Sequence, residues 1–199
     1  MQRAVFCAVA IAVLLPFPAC ASGHGTLAAD VDWKGSDGKV AYEIEADDRG
    51  FEVTDTSKAK IADYRWVESS LRMRAGTKVL GFVRADAGGL LVVDDAQKEL
   101  WRLQPDGKDN WVLRSPTGIA YKLERRGDGY KVTDGAGTET ARVKVDADDV
   151  SIRTPAGKTV WKSKLRLSTL AASCMSFDAL PIEQRLGLLV GVVGFRVGE

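Results

Sequence analysis

The feature that most constrains this 199-residue chain is internal repetition. Four segments, "VDWKGSDGKVAYEI", "LRMRAGTKVLGFVR", "WVLRSPTGIAYKLE" and "VSIRTPAGKTVWKS", share one layout. Each has an alternating run, a turn with glycine, and a second run that reaches an aromatic. Those aromatics, Tyr42, Phe82, Tyr121 and Trp161, stand 40, 39 and 40 residues apart. A second echo, "EADDRGFEVTD", "RADAGGLLVVD" and "ERRGDGYKVTD", lies between them, with its glycines at Gly50, Gly89 and Gly129. A weaker third follows in "SKAKIADY", "AQKELWRL" and "TETARVKV". Repetition at a fixed period means one supersecondary unit used several times, each copy burying its apolar face on its neighbours.

The units read as strands. Val31/Trp33, Leu71/Met73, Trp111/Leu113 and Val150/Ile152 alternate with polar residues, as do Phe51/Val53 and Tyr130/Val132. This is the period-two pattern of a half-buried strand. Arg102, Lys122, Lys131, Lys144 and Arg153 then point outward. The connectors "SDG", "PDG", "SPTG", "GDG" and "TPAG" are turn sequences. The expectation is a mainly β domain: an antiparallel meander of about 12–14 short strands from ~40-residue repeats. So long a meander must hide its edges by curling, splitting or closing. The sequence has too few units for an ordinary propeller, and no WD or kelch signature, so a closed barrel fits best. A barrel of that size is too wide for its wall side chains to fill.

The C-terminus, "LPIEQRLGLLVGVVGFRVGE", supplies a candidate filling. Its uncharged run, Leu186 to Phe195, is ten residues long. A bilayer-spanning helix needs about 20, so a buried core helix is expected. Pro181 suits the first helical position and Glu183 the positive N-terminal end. Gly187, Gly191 and Gly194 would share one helix face and permit close approach. A Val/Gly-rich strand pair closing the sheet is the alternative. Many antiparallel strands followed by "SFDALPIEQRLGLLVGVVG" resembles the tubby C-terminal, scramblase and LURP-one-like group. That resemblance implies a twelve-stranded barrel around one central helix, and some members bind membrane lipids. No motif here carries over their binding residues.

The N-terminus, "MQRAVFCAVAIAVLLPFPACAS", has one basic residue, an apolar run and small residues, the layout of a secretory signal. "FPAC" resembles a bacterial lipobox, with Cys20 as the acylated first residue of the mature chain. Ala19-Cys20-Ala21 is the competing ordinary cleavage site. Residues 1–19 are then signal peptide, 20–30 a flexible tether ("CASGHGTLAAD") and 31–199 one β-rich domain with a C-terminal helix. The expected location is outside the cytoplasm: a bacterial outer-membrane lipoprotein facing the periplasm, or a soluble periplasmic or secreted protein. Removal of residues 1–19 takes away Arg3 alone among the charges, which leaves 27 Lys+Arg against 27 Asp+Glu (28 minus one, and 27). The charges are interspersed, so no basic run marks a nucleic-acid partner.

No catalytic set is visible. His24, the only histidine, lies in the tether. One Cys and one His do not make a zinc site. Cys174 reads as a small buried hydrophobe, though a bridge to an unprocessed Cys20 is conceivable. Asp47/Asp48, Asp94/Asp95, Asp106/Asp109 and Asp146 to Asp149 lack a calcium-loop register and read as turn residues. No cofactor is expected. Trp66, with Tyr64 and Arg65, is the candidate exposed contact. The functional expectation is a membrane-tethered binding or scaffold domain without enzymatic activity, its membrane partner reached through the lipid. The alternatives are a barrel carrying an apolar ligand and a carboxylate-based hydrolase.

Overall fold

The computed structural model describes residues 30–199 except Ala147, Leu165, Arg166 and Glu199. The signal, Cys20 and His24 lie outside the described residues. The described chain forms seven antiparallel hairpins. The first four are β1 (Val31–Lys34) with β2 (Val40–Asp47), β3 (Gly50–Asp55) with β4 (Lys60–Val67), β5 (Ser70–Ala75) with β6 (Lys78–Asp86), and β7 (Gly89–Val93) with β8 (Glu99–Pro105). The rest are β9 (Trp111–Ser115) with β10 (Gly118–Arg126), β11 (Gly129–Asp134) with β12 (Glu139–Asp146), and β13 (Asp149–Arg153) with β14 (Thr159–Lys164). Each strand pairs with its neighbour in sequence, and β14 returns to β1 to close a barrel. The closure bridges Lys34 to Lys162.

The physical unit is half the period seen in the sequence. Inward pairs at 31/33, 51/53, 71/73, 90/92, 111/113, 130/132 and 150/152 recur every 19–21 residues, all buried. Every hairpin carries one register shift at its turn end, for example at Val53/Thr54, Val92/Val93 and Val132/Thr133. Such bulges bend a strand and raise its twist, which lets a long meander curl shut. The aromatic echo is only partly real in space. Tyr42 and Tyr121 face inward and Trp161 packs against the core, but Phe82 pairs with outward-facing Arg72. Gly81 takes the inward place opposite Met73.

The glycine echo has a steric cause. A Cβ on Gly50, Gly89 or Gly129 would lie 2.0 Å from the carbonyl oxygen of Tyr64, Leu103 or Val143 on the next strand. Backbone cannot yield there, so only hydrogen fits. The turn acids also have a backbone role. Carboxylates of Asp55, Asp94 and Asp134 accept the amide N–H of Ala59, Lys98 and Thr138 at 2.8–3.0 Å. Asp47 likewise accepts from the Arg49 amide at 2.8 Å.

The barrel is filled by its own C-terminus. After β14 come α1 (Thr169–Ser173), a 3-10 turn (Cys174–Ser176) and α2 (Ile182–Gly194). The tail is therefore a helix pair rather than the single helix expected, and fourteen strands surround it rather than the twelve of the resembling group. Ser168 caps α1, its hydroxyl accepting from the Ala171 amide at 3.2 Å. Pro181 sits one position earlier than expected, as the cap itself, and its carbonyl accepts from the Gln184 and Arg185 amides. At the other end Arg196 adopts φ 54°, and the Val197 and Arg196 amides bond back to Val192 and Val193 carbonyls. That is a Schellman stop, with Val197 buried beneath it.

Thirteen residues of helix rise about 20 Å, which matches about six residues of strand. α1 packs on β11–β13 and α2 on β4–β7. Leu186, Leu188, Leu189 and Val190 are 0 % exposed. The glycine stripe faces the wall, as its spacing predicted. Cβ atoms on Gly187, Gly191 and Gly194 would stand 2.6, 2.8 and 2.9 Å from Met73, Val83 and Trp66 side chains.

Candidate functional site: the outer wall

Because the alternation is apolar inward and charged outward, it is opposite to that of barrels whose walls face lipid. Among the described residues no helix is long and apolar enough to cross a membrane. The interior is packed, and three of its polar side chains bond to the plug segment. Tyr64 Oη donates to the Glu183 carbonyl at 2.6 Å. The indole N–H of Trp101 donates to Gln184 Oε1 at 2.6 Å. Tyr121 Oη donates to Asp178 Oδ1 at 2.6 Å and accepts from the Ala179 amide at 2.9 Å. Its ring stacks on Phe177. Burial, then the bond to Asp178, pushes the Tyr121 pKa up to about 12.

That shift gives a pH-dependent expectation. The unfolded phenol ionises near about 10. The folded value is higher, so the stabilisation is complete below pH ~10 and is lost as pH rises toward about 12. Tyr64 acts with the same sign, its pKa raised chiefly by burial. Tyr121→Phe should lower stability at neutral pH by about 1–2 kcal/mol, since Asp178 and the Ala179 N–H lose a partner. It should also shrink the loss between pH 8 and pH 11, as read by urea midpoints. An alkaline loss as steep as that of the unaltered chain would show that Tyr121 does not titrate with unfolding.

The three residues nominated as a surface contact occupy different places. Tyr64 is wholly buried in the core, so it offers nothing outside. Strand alternation forces this: its neighbours Asp63 and Arg65 face out, so Tyr64 faces in. Arg65 is outside but holds Asp47 at 2.6 Å and Glu52 at 3.5 Å, which lowers the Asp47 pKa. Trp66 is half-buried, edge-on to Phe195 with ring centres 5.2 Å apart. Cys174 is buried, donates its thiol to the Leu170 carbonyl at 3.6 Å and has its pKa pushed up by burial. That environment makes it unreactive. Among the described residues no three His, Cys, Asp or Glu side chains converge on a possible metal position.

The outer wall is electrically uneven. On β2–β4 several carboxylates are matched, Glu43 by Lys58, Glu52 by Lys60 and Asp47 by Arg65, although Glu45, Glu52 and Asp63 stand opposite one another in register. On β11–β13 it is cations that go without acidic partners. Lys131 pairs in register with Arg142, and Arg142 with Arg153, so three cations stand in one row across three strands. They line a groove of 510 Å³ with Arg126, Lys144 and Glu139, which reaches from Gly157 at one rim to Arg126 at the other. Arg142 holds Glu139 at 2.5 Å, and Arg126 holds Glu124 at 2.9 Å. Arg142, then Lys131, depress the Glu139 pKa, so it stays ionised. Among the described residues no carboxylate lies within 4 Å of Lys131, Lys144 or Arg153.

This row escaped sequence reading because residues 131, 142 and 153 are 11 apart and separated by acids and turns. The usable signal is register. Each is the outward residue beside buried partners, and pairing alone puts them side by side. No protein-family model matches the chain, and neither a curated protein nor a solved structure does so.

Proposed function

We propose that this chain is an exported binding domain, tethered to a membrane by acylated Cys20 and working through its outer wall without catalysis. The observation that carries this is the filled barrel: α2 occupies the space where an apolar cargo would sit, and Leu186, Leu188, Leu189 and Val190 are 0 % exposed. A carrier needs a pocket of several hundred Å³ inside its wall. With the interior taken, the outward face and rims remain for contact. The carboxylate-hydrolase alternative finds little support. Asp47, Glu52, Glu139 and Asp149 are held by cations, and Asp55, Asp94 and Asp134 by turn amides. The likeness to the tubby, scramblase and LURP-one-like group is supported at the level of a closed antiparallel barrel around a C-terminal helix, and extends no further.

The tether is motivated by the cysteine that follows an apolar signal core and precedes a Gly/Ser-containing linker. Intact-mass analysis of the mature chain tests it. The expected N-terminus is Cys20 carrying acyl mass. A mature chain that begins at Ser22 without acyl mass ends the tether.

A further inference from the structure

We propose that the groove on the outer face of β11–β13 binds a small anion bearing two phosphoryl groups. The assignment deepens the outer-wall function proposed above and rests on it. Like charges directly opposite on neighbouring strands are destabilising, and Lys131, Arg142 and Arg153 are opposed twice over. Strands lie about 4.8 Å apart, so the row spans about 10 Å. The acidic counterpart on β2–β4, Glu45 opposite Glu52 opposite Asp63, is relieved in part by Lys60 and Arg65. Within the groove the lining carries five cations, Arg126, Lys131, Arg142, Lys144 and Arg153, against Glu139 alone.

Charge and shape narrow the ligand. Five positive charges less Glu139 and the Glu124 that holds Arg126 leave a surplus of three. A phosphoryl monoester brings about −1.5 to −2, so two of them balance the surplus. Arginine presents a planar fork that suits phosphate oxygens, and lysine adds a movable point charge. Both types are present here on adjacent strands. The 510 Å³ concavity is the size of a small-molecule site. A flat bilayer would meet the convex barrel wall rather than fill this hollow. The two phosphoryl groups can belong to a free metabolite-sized anion or to a displayed head group, and the chemistry at the groove is the same.

The test uses the full chain, titrated calorimetrically with fructose 1,6-bisphosphate as a two-phosphoryl probe and fructose 6-phosphate as its one-phosphoryl control. The bisphosphate should bind at least ~10-fold more tightly, and its affinity should fall between 50 and 200 mM salt as surface charges are screened. The double variant Lys131→Gln/Arg153→Gln should lose at least ~10-fold of that affinity, while Lys78→Gln on β6 should lose none. The same double variant should keep or raise Tm, because it removes opposed like charges. Bisphosphate should raise Tm for the unaltered chain and for Lys78→Gln, but not for the double variant. Equal affinity for the two sugars, no binding, or a lowered Tm in the double variant overturns the site. Vesicles of phosphatidylcholine containing diphosphoryl lipid A, and as control vesicles of phosphatidylcholine alone, separate the sources. Sedimentation with the former, abolished in the double variant and competed by bisphosphate, supports a displayed head group. Sedimentation without bisphosphate binding overturns the assignment. A null titration on a chain with acylated Cys20 ends this site alone, whereas a Ser22 start ends the tether alone.

Discussion

Removal of residues 182–199 is expected to abolish cooperative unfolding of the whole barrel. The deletion takes Leu186, Leu188, Leu189, Val190 and Val192 from the interior, each no more than 1 % exposed. Burial of such a side chain is worth about 1.5–3 kcal/mol, so the five together contribute about 7–15 kcal/mol. A domain of this size has a net stability of about 5–15 kcal/mol. The wall cannot absorb the loss by collapsing, because fourteen paired strands fix its circumference. The deletion also strands the phenol of Tyr64, whose acceptor is the Glu183 carbonyl. Thermal unfolding followed by tryptophan fluorescence is a direct readout, since Trp33 and Trp111 are buried in the core. A sharp transition near the full-length midpoint would mean that the tail is an accessory and that the barrel stands alone.

Gly191→Leu should have the next largest effect, from a single residue. An added Cβ would already stand 2.8 Å from Val83 Cγ1 and 3.0 Å from a Leu90 methyl. Val83 is short, branched and held on β6, so it has no far end to swing away. The remaining three carbons of leucine must then displace α2 from β6 and β7. Overpacking typically costs about 1–3 kcal/mol for small insertions, and here it should reach at least about 3 kcal/mol. The helix-propensity gain on replacing glycine, close to 1 kcal/mol, does not offset it. Gly187→Ala should be milder, because its obstacle is the flexible Met73 thioether at 2.6 Å. Urea midpoints rank the two. A Gly191→Leu chain as stable as the unaltered one would show that α2 does not lie against Val83.

Much of the architecture was legible because it is written in local, periodic chemistry. Alternation at Val31/Trp33 or Phe51/Val53 sets which side chains face in, whatever the strands pair with. Turn glycines and aspartates mark where each hairpin reverses. A ten-residue uncharged run with glycines on one face declares a short buried helix. The chain length and strand number together imply closure and a filled interior. Even so, the sequence displayed a 40-residue period where the fold uses hairpins of about half that length, since neighbouring hairpins differ in their inward aromatics.

What the sequence could not supply is whatever depends on which strand lies beside which, and at what register. Tyr64, Arg65 and Trp66 are consecutive in the chain, yet they go to the core, an ion-pair hub and the edge of the plug. Phe82 looks equivalent to Tyr121 and faces the other way, because a one-residue offset on a strand reverses a side chain. Lys131, Arg142 and Arg153 are ordinary members of a chain whose net charge is only +1. They become a row only when β11, β12 and β13 pair in one particular register. The sequence by itself determined an apolar-inward barrel with its own C-terminus inside, because burial follows from local period and length. Only the tertiary structure decided where charge is left uncompensated, because Coulomb interactions depend on distance in space and not on distance along the chain.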